Sequence, residues 1–272
     1  MQADSARRSG AALVLAASMS GPIVAHAIDA REQAVADIEF LIRHNWHLVE
    51  AHTSKGEPLP VLTPTGNEEM TLRFERSLLR VTGCRGFSED FFLIEGRIVH
   101  WTPEPATSTM ILPCSGRPFQ MDEAMAVVLK GDPSYRLVPS TDGIERPQLE
   151  LESPADMIVV FKGEPTAETR YGGPGDTIYF DIAPRTVRCS VPDQPACACL
   201  QVRELFEPKA GTYRPGHDEI GLGNAGPWQM LCDDIEGLDP AELRDRGLYL
   251  RLRRFRDPSA TGAAFRYVTF GR

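Results

Sequence analysis

The sequence predicts an α+β protein made of two mainly antiparallel β domains, the first with one helix packed on its sheet and the second smaller and stapled by disulfides. Three observations carry this. Period-two alternation of apolar and polar residues recurs through both halves, as in Met70, Leu72 and Phe74 or Leu248, Leu250 and Leu252, and half-buried strands alternate in this way. A single long amphipathic stripe occurs, at Met121, Ala124, Met125, Val128 and Leu129, with the i, i+3, i+4, i+7, i+8 spacing of a helix lying on a sheet. The six cysteines cluster so that four of them fall after residue 188.

At 272 residues the chain can fill one large domain or two small ones. Its 42% hydrophobic and 25% charged residues, with 23 Gly and 22 Pro, describe a globular chain with many turns. A formal charge of -9 argues against nucleic-acid binding, which needs clustered Lys and Arg to displace counterions from phosphate.

The first 27 residues read as a signal peptide. Arg7 and Arg8 form a basic start, residues 11–24 an apolar and small-residue stretch too short to span a bilayer, and Ala25-His26-Ala27 an A-x-A cleavage site. The expected location is therefore the periplasm or the medium, with no membrane span and no lipid-bearing cysteine after the cleavage site. In an oxidising compartment, six cysteines most simply form three disulfides.

Residues 28–162 form the expected first domain. A short amphipathic lead-in carries Ala34, Ile38, Leu41 and Ile42, and a strand follows at Trp46-His47-Leu48-Val49. Next come strands around Leu72 and around Leu79 and Val81, then a hairpin turning at Glu95-Gly96. The helix ends at Lys130-Gly131, and three more strands lie at 135–138, 148–151 and 157–161. Residues 163–176, with Gly172-Gly173-Pro174-Gly175, read as a linker. In the second domain, 177–272, strands are expected at 177–182, 186–189, 200–205, 228–231, 248–253 and 265–270. A Gly- and Pro-rich loop covers 208–227, and a short helix starts at Asp239-Pro240.

The first half resembles the META domain family, which includes the HslJ-like heat-shock proteins. The resemblance rests on Trp46-His47-Leu48, the Gly83-Cys84 step, Ile94-Glu95-Gly96, the Thr109-Met110 pair before Cys114, the helix with Glu123 and a final strand ending in Phe161. The second half is similar to a domain of unknown function that often accompanies META domains. That similarity rests on Val187-Arg188-Cys189, the string Cys199-Leu200-Gln201-Val202-Arg203-Glu204, Trp228, Ile235-Glu236-Gly237 and Tyr249-Leu250-Arg251-Leu252-Arg253. Against this pattern, Cys197 and Cys232 look like additions. The resemblance implies a non-catalytic envelope protein linked to stress or antibiotic tolerance. The expected state is a monomer, with an unknown protein or small ligand in the envelope as its partner.

Sequence position favours pairing Cys84 with Cys114 and Cys189 with Cys199, leaving Cys197 for Cys232. The closeness of Cys197 and Cys199 leaves an exchange of their partners open. Two other functions stay in view: a thiol-disulfide oxidoreductase using Cys197 and Cys199, and a secreted inhibitor or adhesion partner working through the 208–227 loop. His44, His47 and His52 lack the spacing and carboxylate of a zinc motif. Gly221 to Gly226 matches G-x-G-x-x-G by letter but opens no helix after a strand. Asp233, Asp234 and Glu236 lack the ligand spacing of a calcium loop. Arg251, Arg253, Arg254 and Arg256 read as a solvated stripe balanced by local carboxylates. No nucleophile elbow is present. No cofactor, metal or catalytic residue is expected.

Overall fold

The structure is a computed structural model that describes residues 22–65, 69–100, 114–138, 140, 146–189, 197–206, 225–239, 248–259 and 264–269. The first half is a closed barrel of eight strands in sequence order: β1 (His44–His52), β2 (Thr71–Glu75), β3 (Leu78–Thr82), β4 (Phe87–Ile94), β5 (Arg97–His100), β6 (Ser134–Val138), β7 (Gln148–Ser153) and β8 (Met157–Pro165). β8 returns antiparallel to β1, which closes the ring. Every strand expected in this half is present. The period-two pattern is what fills the bore: Trp46, Leu72, Phe74, Leu79, Phe91, Ile98, Leu149, Leu151 and Phe161 are all buried in one core.

Two local devices set the register of β1. The pairing with β8 shifts between Leu48 and Glu50, so Val49 is an extra residue, and the buried set runs His44, Trp46, Leu48 and then Ala51. Trp46 stands opposite Gly163, where an added Cβ would lie 2.9 Å from the indole. The ring therefore occupies the space a side chain on β8 would need, and its Nε1–H donates to Leu41 O at 3.0 Å.

Two helices flank the barrel. The helix α1 (Pro22–Ile42) starts at a proline, which suits a first helical turn, and contributes the fully buried Leu41 to the core. It runs through the expected cleavage site after Ala27. The helix α2 (Arg117–Lys130) joins β5 to β6 and inserts Met121, Met125, Val128 and Leu129, the expected stripe, into the core. It also buries Asp122, which the stripe does not announce. The Asp122 carboxylate accepts the backbone N–H of Cys84 (3.3 Å) and of Arg85 (2.7 Å). Gly83 is the residue that lets it come this close, since a Cβ there would sit 2.0 Å from Asp122 Oδ1.

The expected linker, 163–176, carries regular structure. β8 continues to Pro165, and a short helix, α3 (Ala167–Tyr171), follows. Its N-cap is Thr166, whose Oγ1 accepts the N–H of Thr169 at 3.3 Å, and Gly172 ends it in the left-handed region. Two of the glycines in this segment serve a cap and a close packing contact: Gly172 ends α3, and a Cβ on Gly175 would lie 2.8 Å from the Phe255 ring.

The second half is a six-stranded sheet ordered β11-β10-β9-β13-β14-β12, from β9 (Asp176–Cys189), β10 (Cys197–Leu205), β11 (Gln229–Leu231), β12 (Ile235–Glu236), β13 (Leu248–Arg256) and β14 (Phe265–Thr269). The two strands expected at 177–182 and 186–189 are one strand interrupted by a bulge. Ile182 pairs with Val202 and Thr186 with Leu200, so Ala183, Pro184 and Arg185 face Gln201 alone, and Pro184, which has no N–H for the ladder, sits within the bulge. One face buries Ile178, Phe180, Ile182, Val202 and Leu252, capped by Ile235. The sheet is antiparallel except for β12 on β14, a two-residue edge the sequence reading missed. The expected helix from Asp239-Pro240 lies, beyond Asp239, outside the described residues.

Candidate functional site

Cys84 is bridged to Cys114, as expected, with Cα atoms 5.9 Å apart. This ties the β3–β4 turn to the segment leading into α2, beside the Asp122 bonds. The favoured pairing in the second domain is overturned: Cys199 is bridged to Cys232, Cα atoms 4.1 Å apart, and not to Cys189. Strand register explains the correction. On β10 and β11, Leu200 faces Leu231, so the next position outward sets Cys199 against Cys232. On β9 and β10, Cys199 faces Val187, while the backbone of Cys197 faces that of Cys189. Cys199 is thus tied to the β11 side, while the backbone at Cys197 pairs with β9. Cys199 is also fully buried, the reverse of the partly exposed setting a reactive thiol needs.

The C-L-Q-V-R-E string is accounted for by packing. Leu200 and Val202 join the core of the sheet, Arg203 Nη2 lies 2.6 Å from Asp181 Oδ2, and Glu204 lies 3.6 Å from Arg254. Arg203 also stacks 4.7 Å from the centre of the Trp228 ring. Two members of the basic stripe meet carboxylates: Arg253 Nη1 lies 2.8 Å from Glu168 Oε1 on α3, and Arg254 lies 3.4 Å from Asp176. Glu168 also lies 3.5 Å from Arg73 on β2, and Glu236 pairs with Arg170. These ion pairs form a charged seam between barrel and sheet.

The three histidines do not converge. His44 donates Nδ1–H to Phe40 O at 2.9 Å, His52 donates to Thr53 O at 2.9 Å, and His47 faces outward against Glu69 at 2.8 Å. Among the described residues, no group of three or more His, Cys, Asp or Glu side chains could hold a metal ion. Of the G-x-G-x-x-G string, Gly221 to Asn224 lie outside the described residues. Ala225 bridges to Leu205, and Gly226 N–H donates to Glu204 O at 2.8 Å, a strand-like continuation. Most of the 208–227 loop is likewise outside. Among the described residues, no helix is long and apolar enough to cross a membrane.

A candidate site that sequence reasoning missed lies at the end of the barrel. A cleft of about 450 Å³ opens between α1, the β4–β5 turn and β6, lined by Ala30, Gln33, Ala34, Asp37, Glu95, Gly96, Tyr135, Arg136 and Leu137. Cavities of this size suit a small ligand or a few residues of peptide. At its floor the Tyr135 hydroxyl donates to Asp37 Oδ2 at 2.6 Å, and Gln33 Nε2 donates to Asp37 Oδ1 at 2.8 Å. Burial and the adjacent carboxylate push the Tyr135 phenol well above its usual pKa, so it stays a proton donor rather than a base. Both carboxylate oxygens are thus held by hydrogen bonds, and the cleft can orient a polar group beside them. The available signal was indirect: Asp37 lies on the apolar side of α1, one residue before Ile38.

No protein-family model matches the chain, nor does any curated protein sequence. Among solved structures, an NMR structure of a protein from Burkholderia xenovorans is similar over 47% of this chain and 87% of that one, at 15% identity and a TM-score of 0.35.

Proposed function

We propose that this protein is a non-catalytic binding module of the META/HslJ-like kind, exported to the cell envelope and serving stress tolerance there. The observation that carries the reading is the division between a barrel bore filled by Trp46, Phe74, Phe91 and Phe161 and an outer cleft floored by a fixed Tyr135–Asp37 pair. A filled bore leaves recognition to the outside surface. The two disulfides among the described residues suit an oxidising compartment. The resemblance supports the family, and the closed barrel with an inserted helix is compatible with it.

The test uses oxidised full-length protein immobilised and exposed to envelope extract, next to an Ala30→Trp variant that fills the cleft. Retention of a component by the first and not the second is the expected result. Catalysed thiol-disulfide exchange or ester turnover that disappears with a single substitution would replace this reading with an enzymatic one.

A further inference from the structure

Strand β6 runs past the end of the strand beside it. On the β5 side its bonds are Ile98 N–H to Pro133 O and Tyr135 N–H to Gly96 O, both 2.9 Å. The chain then turns away at Glu95 and Gly96, both at positive φ. In an antiparallel ladder, the N–H and C=O facing one neighbour recur every second residue, so Leu137 presents the next pair on this side. β7 occupies only the opposite side, with Leu137 in register with Leu149. Among the described residues, no backbone group pairs with Leu137 on its β5 side.

This open edge borders the 450 Å³ cleft, with α1 as the facing wall. Ala30, Ala34 and Leu137 give it an apolar lining, and the carboxylates of Asp37 and Glu95 stand along it. The cation at hand, Arg136, is already engaged with Glu150. An unpaired strand edge in a groove is the feature that extended peptides use when they bind by adding a strand.

Resting on the binding reading above, we propose that the cleft receives an extended peptide segment with a basic side chain, which pairs through its backbone with Leu137 and places its cation toward Asp37 and Glu95. The backbone bonds supply attachment, and the acidic lining selects for Lys or Arg over Asp or Glu.

The probes are short alternating Lys–Val peptides titrated into ¹⁵N-labelled, oxidised full-length protein, beside a Glu–Val peptide and a Lys–Val peptide with methylated backbone nitrogens. The Lys–Val peptide should shift resonances of residues 30–37 and 135–137 and slow amide exchange at Leu137. Both control peptides should bind about tenfold more weakly or worse, since each removes one of the two contributions. Ala30→Trp, at an exposed position, should weaken binding by about tenfold, and Glu95→Lys by a smaller factor. Equal binding of the methylated peptide, no binding of Lys–Val, or protection of Leu137 only in a concentration-dependent dimer would overturn the proposal. Envelope components retained equally by wild type and Ala30→Trp would overturn this site while leaving a binding module standing; enzymatic turnover would remove the binding reading itself.

Discussion

The barrel and the second sheet are both antiparallel, yet different forces hold them. Among the described residues, 21 buried hydrophobic side chains form one core in the barrel, against six in the core of the sheet. The barrel closes on itself, because β8 pairs with β1, and α1 and α2 add apolar residues to its core. The sheet is open, with a three-residue edge at β11 and a two-residue edge at β12, and it compensates with a disulfide that ties β10 to the chain just after the adjoining edge strand β11, and with ion pairs. A region with little apolar area to bury depends on covalent and polar ties, as small secreted domains do.

The largest test of this contrast is Trp46→Ala. Truncating a fully buried indole should cost about 3–5 kcal/mol and unfold the barrel in urea at much lower concentration. Next, replacing Cys199 and Cys232 together by Ala should cost about 2–4 kcal/mol, felt in the sheet rather than the barrel. Non-reducing peptide mapping of the parent protein should recover Cys84–Cys114 and Cys199–Cys232, and the facing backbones of Cys197 and Cys189 predict the third bridge between them. Gly163→Ala forces a methyl against Trp46 and Pro147 and should cost about 1–3 kcal/mol.

The smallest effect concerns acid. Asp257 accepts the Ser259 backbone N–H at 2.9 Å, the Ser259 hydroxyl at 2.6 Å and Arg266 Nε at 2.9 Å, which bring its pKa down to about 2. A carboxyl depressed on folding stabilises the protein above its unfolded pKa, and that contribution is lost as pH falls through the folded value. Stability of the β13–β14 end should therefore decline between about pH 4 and pH 2, and Asp257→Asn should remove this dependence in acid-unfolding curves.

Strands were legible because alternation is local: Leu72 and Phe74, or Leu250 and Leu252, state their face without reference to anything distant. The α2 stripe was legible for the same reason. Disulfide partners in the sheet were not, since Cys199 meets Cys232 only after β11 is set beside β10 in a particular register, and register depends on strands that sequence alone does not align. Gly163 and Gly175 read as linker glycines because nothing in the sequence shows that Trp46 and Phe255 press on them. The candidate cleft was hidden for a related cause: Asp37, Glu95 and Tyr135 come from three separated segments, and the open edge at Leu137 exists only because the chain turns at Glu95 and Gly96, so that β5 begins opposite Ser134 and β6 runs on past it.

The central claim is a barrel held by packing that supports a sheet held by its staple. Residue-level amide hydrogen exchange in the Cys199→Ala/Cys232→Ala variant tests it most directly. The account predicts that amides of β9, β10 and β11 lose protection while those of β1 to β8 keep theirs; loss of protection in both regions together, or in neither, would contradict it.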